Sequence, residues 1–240
     1  MLRASIDIGS NSILLLVIDD SDKKLKIVEN HSNISGLGRD LDKNGVFIKA
    51  AMEDSKGILK KYALICKNNG LDLDKVIVTA TEASRVAKNA KSFFEEIKEV
   101  TGLSVKIITS EAEAYYSTVG ILIDENINEQ EVCIMDIGGA STELIKVDTQ
   151  TKKILASISM PVGAVRMNNW KVEDVVSSKL KAVIKDYSEQ LETFKSNTLY
   201  CVAGTMTSVG NIQLGNKTFI EDSVNGCLLY TSDAADDSLR

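Results

Sequence analysis

The sequence predicts an α/β fold built twice, with two related subdomains facing each other across a cleft. Three observations carry this prediction. First, Asp7-Ile8-Gly9-Ser10-Asn11-Ser12 returns as Asp136-Ile137-Gly138-Gly139-Ala140-Ser141, 129 positions later (136 minus 7). Over the longer span 7–19 and 136–148 the two copies share Asp, Ile, Gly, Ser, Leu and a closing Asp. Second, each copy follows an apolar strand pattern, Ala4 and Ile6 in one and Val132 to Met135 in the other, and runs on into apolar residues. Third, the elements after each copy read in a similar order. The repeat is domain-sized, which points to duplication and not to a solenoid.

Residues 2–8, 12–19 and 24–31 read as three consecutive strands, with Asp19-Asp20-Ser21-Asp22 as the turn between the second and third. Gly36 and Gly38 then mark a loop. A long helix over 49–68 follows, with Ala51, Met52, Ser55, Ile58, Leu59, Tyr62, Ala63 and Cys66 at helical spacing and Asn68-Asn69-Gly70 as its stop. Val76 to Val78 reads as a strand, Glu82 to Lys91 as a helix with another running to Val100, and Val105 to Ile108 as a strand. A helix from Glu111 to about Leu122 closes the first half. In the second half, strands are expected near 131–136, 142–148 and 153–160, a helix near 171–193, a strand over Leu199–Val202, and a further helix after Ala203-Gly204-Thr205. Three antiparallel strands followed by alternating parallel units describe a ribonuclease-H-like domain, not an alternating Rossmann chain. The expected domains are 1–124 and 125–226, the second incomplete. Residues 227–240 are small and acidic without periodicity and read as a non-native tail, so they carry no fold reasoning.

Bulk properties narrow the function. A chain of 240 residues with 44% apolar and 26% charged residues has the composition of a soluble globular protein of two domains. A net charge of −6 argues against a broad basic nucleic-acid surface. No apolar run reaches the roughly 18–20 residues that span a bilayer. The N-terminus enters directly at a strand with no secretory pattern. Cys66, Cys133, Cys201 and Cys227 form no CxxC pair and read as reduced thiols, so a cytoplasmic location is expected. His31 is the only histidine, which excludes a histidine metal cluster or a Ser-His triad and leaves it a structural or exposed role.

The duplicated hairpin carries the chemistry. Glycine lets backbone N–H groups approach an anion, hydroxyl side chains add donors, and a strand-ending Asp can hold a divalent cation. Gly9, Ser10, Asn11, Ser12, Gly138, Gly139, Ser141 and Thr142 are therefore the candidate phosphate ligands, and Asp7 and Asp136 the candidate metal ligands. A single Asp-Gly turn needs no ligand. Two copies, with Ser12 and Ser141 in register, favour phosphate. In a strand Glu143 shares a face with Ser141. A carboxylate beside a phosphate cradle is repelled unless it meets metal or water, so a metal-binding or nucleophile-orienting role is expected.

These motifs, together with the Gly36–Leu41 loop, Thr79-Ala80-Thr81-Glu82-Ala83-Ser84-Arg85, Ser110 to Ala114, Pro161 to Arg166 and Ala203 to Thr205, keep a recognisable order and spacing across residues 4–226. In them the chain resembles the exopolyphosphatase/guanosine-pentaphosphate phosphatase family of the actin-like ATPase superfamily. The resemblance implies release of orthophosphate from a terminal phosphoanhydride with Mg²⁺, on inorganic polyphosphate or the guanosine penta- or tetraphosphate alarmone. It implies no nucleic-acid or membrane partner and leaves a homodimer as the candidate assembly. It places the catalytic glutamate at Glu113, orienting or deprotonating water, with Glu143 as the second catalytic carboxylate. Against this, Ser110 and Glu113 also fit a capping box, with Glu111 a solvated first-turn carboxylate. The resemblance further implies phosphate contacts for Arg85, Gly204 and Thr205. Arg39 stands evenly between phosphate and solvent, and Gly163 and Arg166 are assigned to packing. A kinase of the same fold needs an acceptor-binding aspartate loop, which is not found. A non-catalytic sensor of polyphosphate or alarmone would bind without releasing phosphate.

Overall fold

The computed structural model describes residues 1–22, 25–123, 127–219, 221–224 and 226. The expected tail from 227 and the expected domain boundary at 124 and 125 lie outside the described residues.

Two sheets with the same strand plan organise the chain. In the first, β1 (Leu2–Ile8), β2 (Ser12–Asp19) and β3 (Lys26–Ile34) form an antiparallel meander, with Leu2 opposite Asp19 and Ile8 opposite Ile13. β4 (Ile77–Ala80) runs parallel to β1, and β5 (Val105–Ile107) parallel to β4, giving the order β3-β2-β1-β4-β5. In the second, β6 (Glu131–Ile137), β7 (Thr142–Asp148) and β8 (Lys153–Met160) repeat the meander and β9 (Leu199–Val202) runs parallel to β6. The order is β8-β7-β6-β9; no counterpart of β5 occurs among the described residues. Both halves are ribonuclease-H-like, as the element order predicts.

Alternation along β1 and β2 explains the first core. Ala4, Ile6, Ile8, Ile13, Leu15 and Val17 point to one face and are buried. α1 (Leu41–Asn44) is a single turn, and α2 (Lys49–Asn68) covers that sheet face with Ala51, Leu59, Tyr62, Ala63 and Cys66. A fully buried Leu or Ile such as Leu59 or Ile13 stabilises by about 1.5–3 kcal/mol. The Tyr62 hydroxyl donates to the Ile13 carbonyl at 2.9 Å, so its burial leaves no polar group unpaired. Gly57 is exposed on α2, and a Cβ there would meet nothing within 4 Å. Gly57→Ala is therefore expected to stabilise the protein by about 1 kcal/mol through helix propensity alone. An unchanged or lower denaturation midpoint would refute it.

Local context overrides three expectations. The third strand starts and ends later than 24–31, pairing up to Ile34 opposite Ser12. The helix expected from Glu82 to Lys91 stops early: α3 is Glu82–Val86 and α4 is Ala90–Thr101. Between them, the Asn89 side chain donates to the Phe47 carbonyl at 3.0 Å and accepts from its N–H at 2.8 Å. That tertiary pair tears the helix. The helix expected over 171–193 is instead α6 (Ala164–Val172), α7 (Val176–Asp186), α8 (Ser188–Leu191) and a short turn. Asp174 adopts φ 56°, a left-handed conformation that ends α6. α9 (Ala203–Gln213) and α10 (Glu221–Val224) follow β9.

α5 (Ser110–Ile121) links the halves. It leaves the first sheet after β5, yet Ala114 packs with Val132, Ile134, Ile145 and Val147 of the second sheet, flanked by Ile121. The sequence reading assigns this helix to the first subdomain; its apolar face belongs to the second core. On the other side, Arg166 of α6 donates to both carboxylate oxygens of Asp42 on α1, at 2.8 and 3.0 Å, and to the Ala140 carbonyl. Lys43 pairs with Glu173 at 3.0 Å. Arg166 thus takes the packing role expected of it. Cys66 and Cys133 are buried and free, Cys201 is half-buried and free, and His31 pairs with Glu29 against the Tyr62 ring. Among the described residues no helix is long and apolar enough to cross a membrane.

Candidate active site

The parallel strands of both sheets end at one place, as ligand sites of open α/β sheets do. The two hairpin turns close identically, Gly9 N–H to Ser12 O and Gly138 N–H to Ser141 O, each at 3.0 Å. They also touch. A Cβ on Gly139 would lie 3.0 Å from Ser10 Cβ and 3.2 Å from the Asn11 nitrogen. The first turn is braced by the loop after β3, with Gly38 N–H donating to Ser10 O at 2.7 Å and Ser35 and Gly36 N–H to Asn11 O at 2.9 Å. The second is braced by the start of α6, where Ala164 N–H donates to Gly138 O at 3.0 Å and Val165 N–H to Gly139 O at 2.8 Å. With the Ser10 and Asn11 carbonyls held in one turn and the Gly138 and Gly139 carbonyls in the other, the turns are fixed in shape.

Most of the expected site residues meet here. Asp7 and Asp136 stand at the same position of their hairpins, and Glu143 is directly opposite Asp136 in the β6–β7 register. Gly204 and Thr205 start α9, just past Val202, which pairs beside Asp136. Gly204 faces open space, and Ala203 before it holds φ 68°, a strained left-handed conformation for alanine. Three expectations change, the first two at Thr142 and at the start of α5 and the third at Arg85. Thr142 spends its hydroxyl hydrogen on the Val162 carbonyl at 2.6 Å, so its side chain has no donor left for phosphate. The capping box also fails: Thr109, not Ser110, caps α5 by accepting from Ala112 N–H at 3.2 Å. The Glu113 carboxylate faces Arg85 instead, while Glu111 is exposed.

Arg85 has five N–H donors, and four are taken. Nε and Nη2 donate to one Glu82 oxygen at 3.2 and 3.0 Å; Nη1 donates to Glu113 Oε2 and to the Ile108 carbonyl, both at 2.9 Å. Only one N–H remains, so the bidentate phosphate contact expected of Arg85 is not available in this arrangement. Arg85 clamps Glu113. Arg39 is exposed, its guanidinium lying over Gly36.

Four carboxylates crowd this cleft, and burial raises the proton affinity of each. Burial pushes Asp7 up to about 6, opposed by a hydrogen bond from Thr79. Burial, then the charges of Glu143 and Asp7, raise Asp136 to about 6 against a Ser117 hydrogen bond. Glu113 rises to about 7 through burial and the Glu143 charge, with Arg85 pulling the other way. Glu143 is raised by burial and steadied by Ser159, whose hydroxyl donates at 2.7 Å. Ser117 and Ser159 go unnamed in the sequence reading, and Thr79 and Glu82 enter it only as members of the Thr79–Arg85 motif. Three reach their partners only through strand or helix pairing, but Glu82 and Arg85 stand at the i, i+3 spacing of a helical ion pair, a signal visible beforehand.

The cleft suits a cation. Asp7 Oδ1 is buried without a hydrogen-bond partner, and one arginine does not balance four carboxylates. Among the described residues, no three acidic, histidine or cysteine side chains are placed to hold a metal on their own. Asp7 and Asp136, one from each hairpin, are the residues that would hold a divalent cation such as Mg²⁺, which takes one or two carboxylates with its remaining ligands from phosphates and water. A carboxylate that gains and loses its proton near neutrality, as Glu113 does, can take a proton from water.

The chain is similar to known proteins in sequence and in fold. A bifunctional 3-dehydroquinate synthase/phosphatase of Fusobacterium nucleatum is 30% identical over 239 aligned residues, covering 92% of this chain and 35% of that protein. A guanosine-5'-triphosphate,3'-diphosphate pyrophosphatase of Aeromonas salmonicida is 30% identical over 209, covering 87% of this chain and 41% of that protein. The chain thus spans well under half the length of these curated relatives. The crystal structure of the Aquifex aeolicus Ppx/GppA family member superposes with a TM-score of 0.77 at 29% identity, covering 98% of this chain and 77% of that one. The model of the Ppx/GppA phosphatase family matches residues 16–221, and the chain belongs to that family.

Proposed function

We propose that this protein hydrolyses the terminal phosphoanhydride of inorganic polyphosphate, guanosine pentaphosphate, or both, with Mg²⁺ as cofactor. The observation that carries the proposal is Glu113: a buried carboxyl with a proton affinity near neutrality, aimed by Arg85 into a cleft between two glycine-hydroxyl hairpins. A group with that affinity is well matched to take a proton from water near pH 7.

The hairpin N–H groups other than those of Gly9 and Gly138, which close the turns, and the Ser12 hydroxyl hold the terminal phosphates, while the Ser141 hydroxyl is turned to Glu143. Asp7 and Asp136 would hold Mg²⁺, which when bound neutralises phosphate charge and polarises the bond to be broken. Glu113 accepts a proton from water as its oxygen attacks the terminal phosphorus. Glu143, kept in place by Ser159, orients that water. The bond to the bridging oxygen breaks, and the shortened chain leaves as the anion. A cytoplasmic location belongs to the same proposal, supported by the free thiols.

The test is orthophosphate release by the full chain from short polyphosphate, long polyphosphate and guanosine pentaphosphate, with Mg²⁺ and with a chelator. Release from at least one substrate, lost on chelation, is expected. Binding by calorimetry without release would replace hydrolysis by sensing. Consumption of ATP only when a hydroxyl compound is added would replace it by a kinase.

A further inference from the structure

Arg85 is held from two sides, and only one of them belongs to the reacting carboxylate. Its Nη1 meets Glu113 on α5 and the Ile108 carbonyl after β5. Its opposite edge, Nε and Nη2, is held by Glu82, one turn earlier on α3. All three side chains are largely buried, with 19%, 23% and 17% of the Arg85, Glu82 and Glu113 side chains exposed. The planar guanidinium turns about its stem unless both edges are held. We propose that Glu82 is a positioning residue: by gripping the outer edge of Arg85, it fixes the inner edge on Glu113 and keeps the arginine from swinging to the substrate phosphates.

Acidic groups dominate around this arrangement. Facing Glu113 are Arg85 from α3, Asp7 from β1 and Glu143 from β7. Behind Arg85, Glu82 also acts on Glu143. Glu82 partly neutralises Arg85, so Glu113 keeps a higher proton affinity than a free arginine beside it would permit. A free Arg85 has the opposite effect on turnover and on substrate affinity. It leaves Glu113 misaimed and gains contacts to phosphate.

This inference rests on the hydrolytic reading, and the experiment separates the two. Glu82→Ala is expected to lower kcat about tenfold or more, with KM for polyphosphate or guanosine pentaphosphate unchanged or lower. Glu82→Gln, which keeps an acceptor oxygen, is expected to restore most of kcat. A higher KM at unchanged kcat, or no change in either, overturns the assignment. The second readout needs no turnover: the Glu113 side-chain carboxyl is titrated by carbon NMR in the substrate-free protein. In Glu82→Gln its midpoint is expected to fall by about half a unit or more; an unmoved or raised midpoint overturns the brace. If the wild-type chain releases no orthophosphate, the hydrolytic reading fails, and this titration still decides the role of Glu82.

Discussion

Glu113→Gln is expected to cut orthophosphate release by about a thousandfold, within the range that general bases contribute. The same substitution is expected to make the protein more stable at pH 8. The sign follows from linkage. Glu113 titrates near 7 in the folded protein and at the ordinary 4.5 when unfolded. Between those values the folded state binds more protons, so stability falls as pH rises through that window. At pH 8 the fold carries the full cost of a buried carboxylate; at pH 4 it carries none. Gln is neutral at both. The variant should therefore melt at a higher temperature than wild type at pH 8, with the difference gone at pH 4. Activity of the wild type should drop on the acidic side of about pH 7, where Glu113 holds its proton. Retained turnover in the variant would remove Glu113 from the chemistry, and a lower melting temperature at pH 8 would contradict the burial of its charge.

Gly163→Ala tests the second largest effect. A Cβ at Gly163 would lie 2.5 Å from the Gly139 carbonyl carbon and oxygen and 2.6 Å from the Ala140 nitrogen. These are backbone atoms of the second hairpin, so no side-chain rotation relieves the overlap. The start of α6 must move away from Gly138 and Gly139, breaking the hydrogen bonds that hold their carbonyls. Gly139 lies against Ser10 and Asn11, so the displacement reaches the first hairpin as well. A destabilisation of about 1–3 kcal/mol is expected, as for an overpacked core, together with near-complete loss of activity. Wild-type kinetics and stability in Gly163→Ala would show that the hairpin is not held from behind. The Gly57→Ala control, with open space at its Cβ, moves the other way.

Much of this architecture was legible in the sequence because periodicity and turn chemistry act locally. β1, β2, β7, β8, β9 and α2 fall where alternation and helical spacing place them, with the same bounds in each case. The duplicated hairpin was legible because both copies keep the Gly and Ser that its shared turn requires. What local rules missed depends on distant partners. Asn89 breaks a helix only because Phe47 sits beside it. Thr142 reads as a phosphate ligand until Val162 takes its proton. Arg85 reads as a phosphate ligand until Glu82 and Glu113 occupy its donors. Glu113 also reads as the partner of a Ser110 cap until Thr109 takes the place of Ser110. The repeat itself differs where it matters: by the offset that aligns Ser12 with Ser141, Leu14 aligns with Glu143. One hairpin carries an exposed leucine where the other carries the buried carboxylate.

α5 has a mechanical consequence. Its apolar face is anchored in the second core, while Arg85, which grips its Glu113, is anchored in the first. Glu113, bonded to Arg85, and Ala114, packed in the second core, are consecutive residues, so the first turn of α5 fastens the two halves to each other. The helix works as a rivet: a change in that one turn is felt by both cores at once.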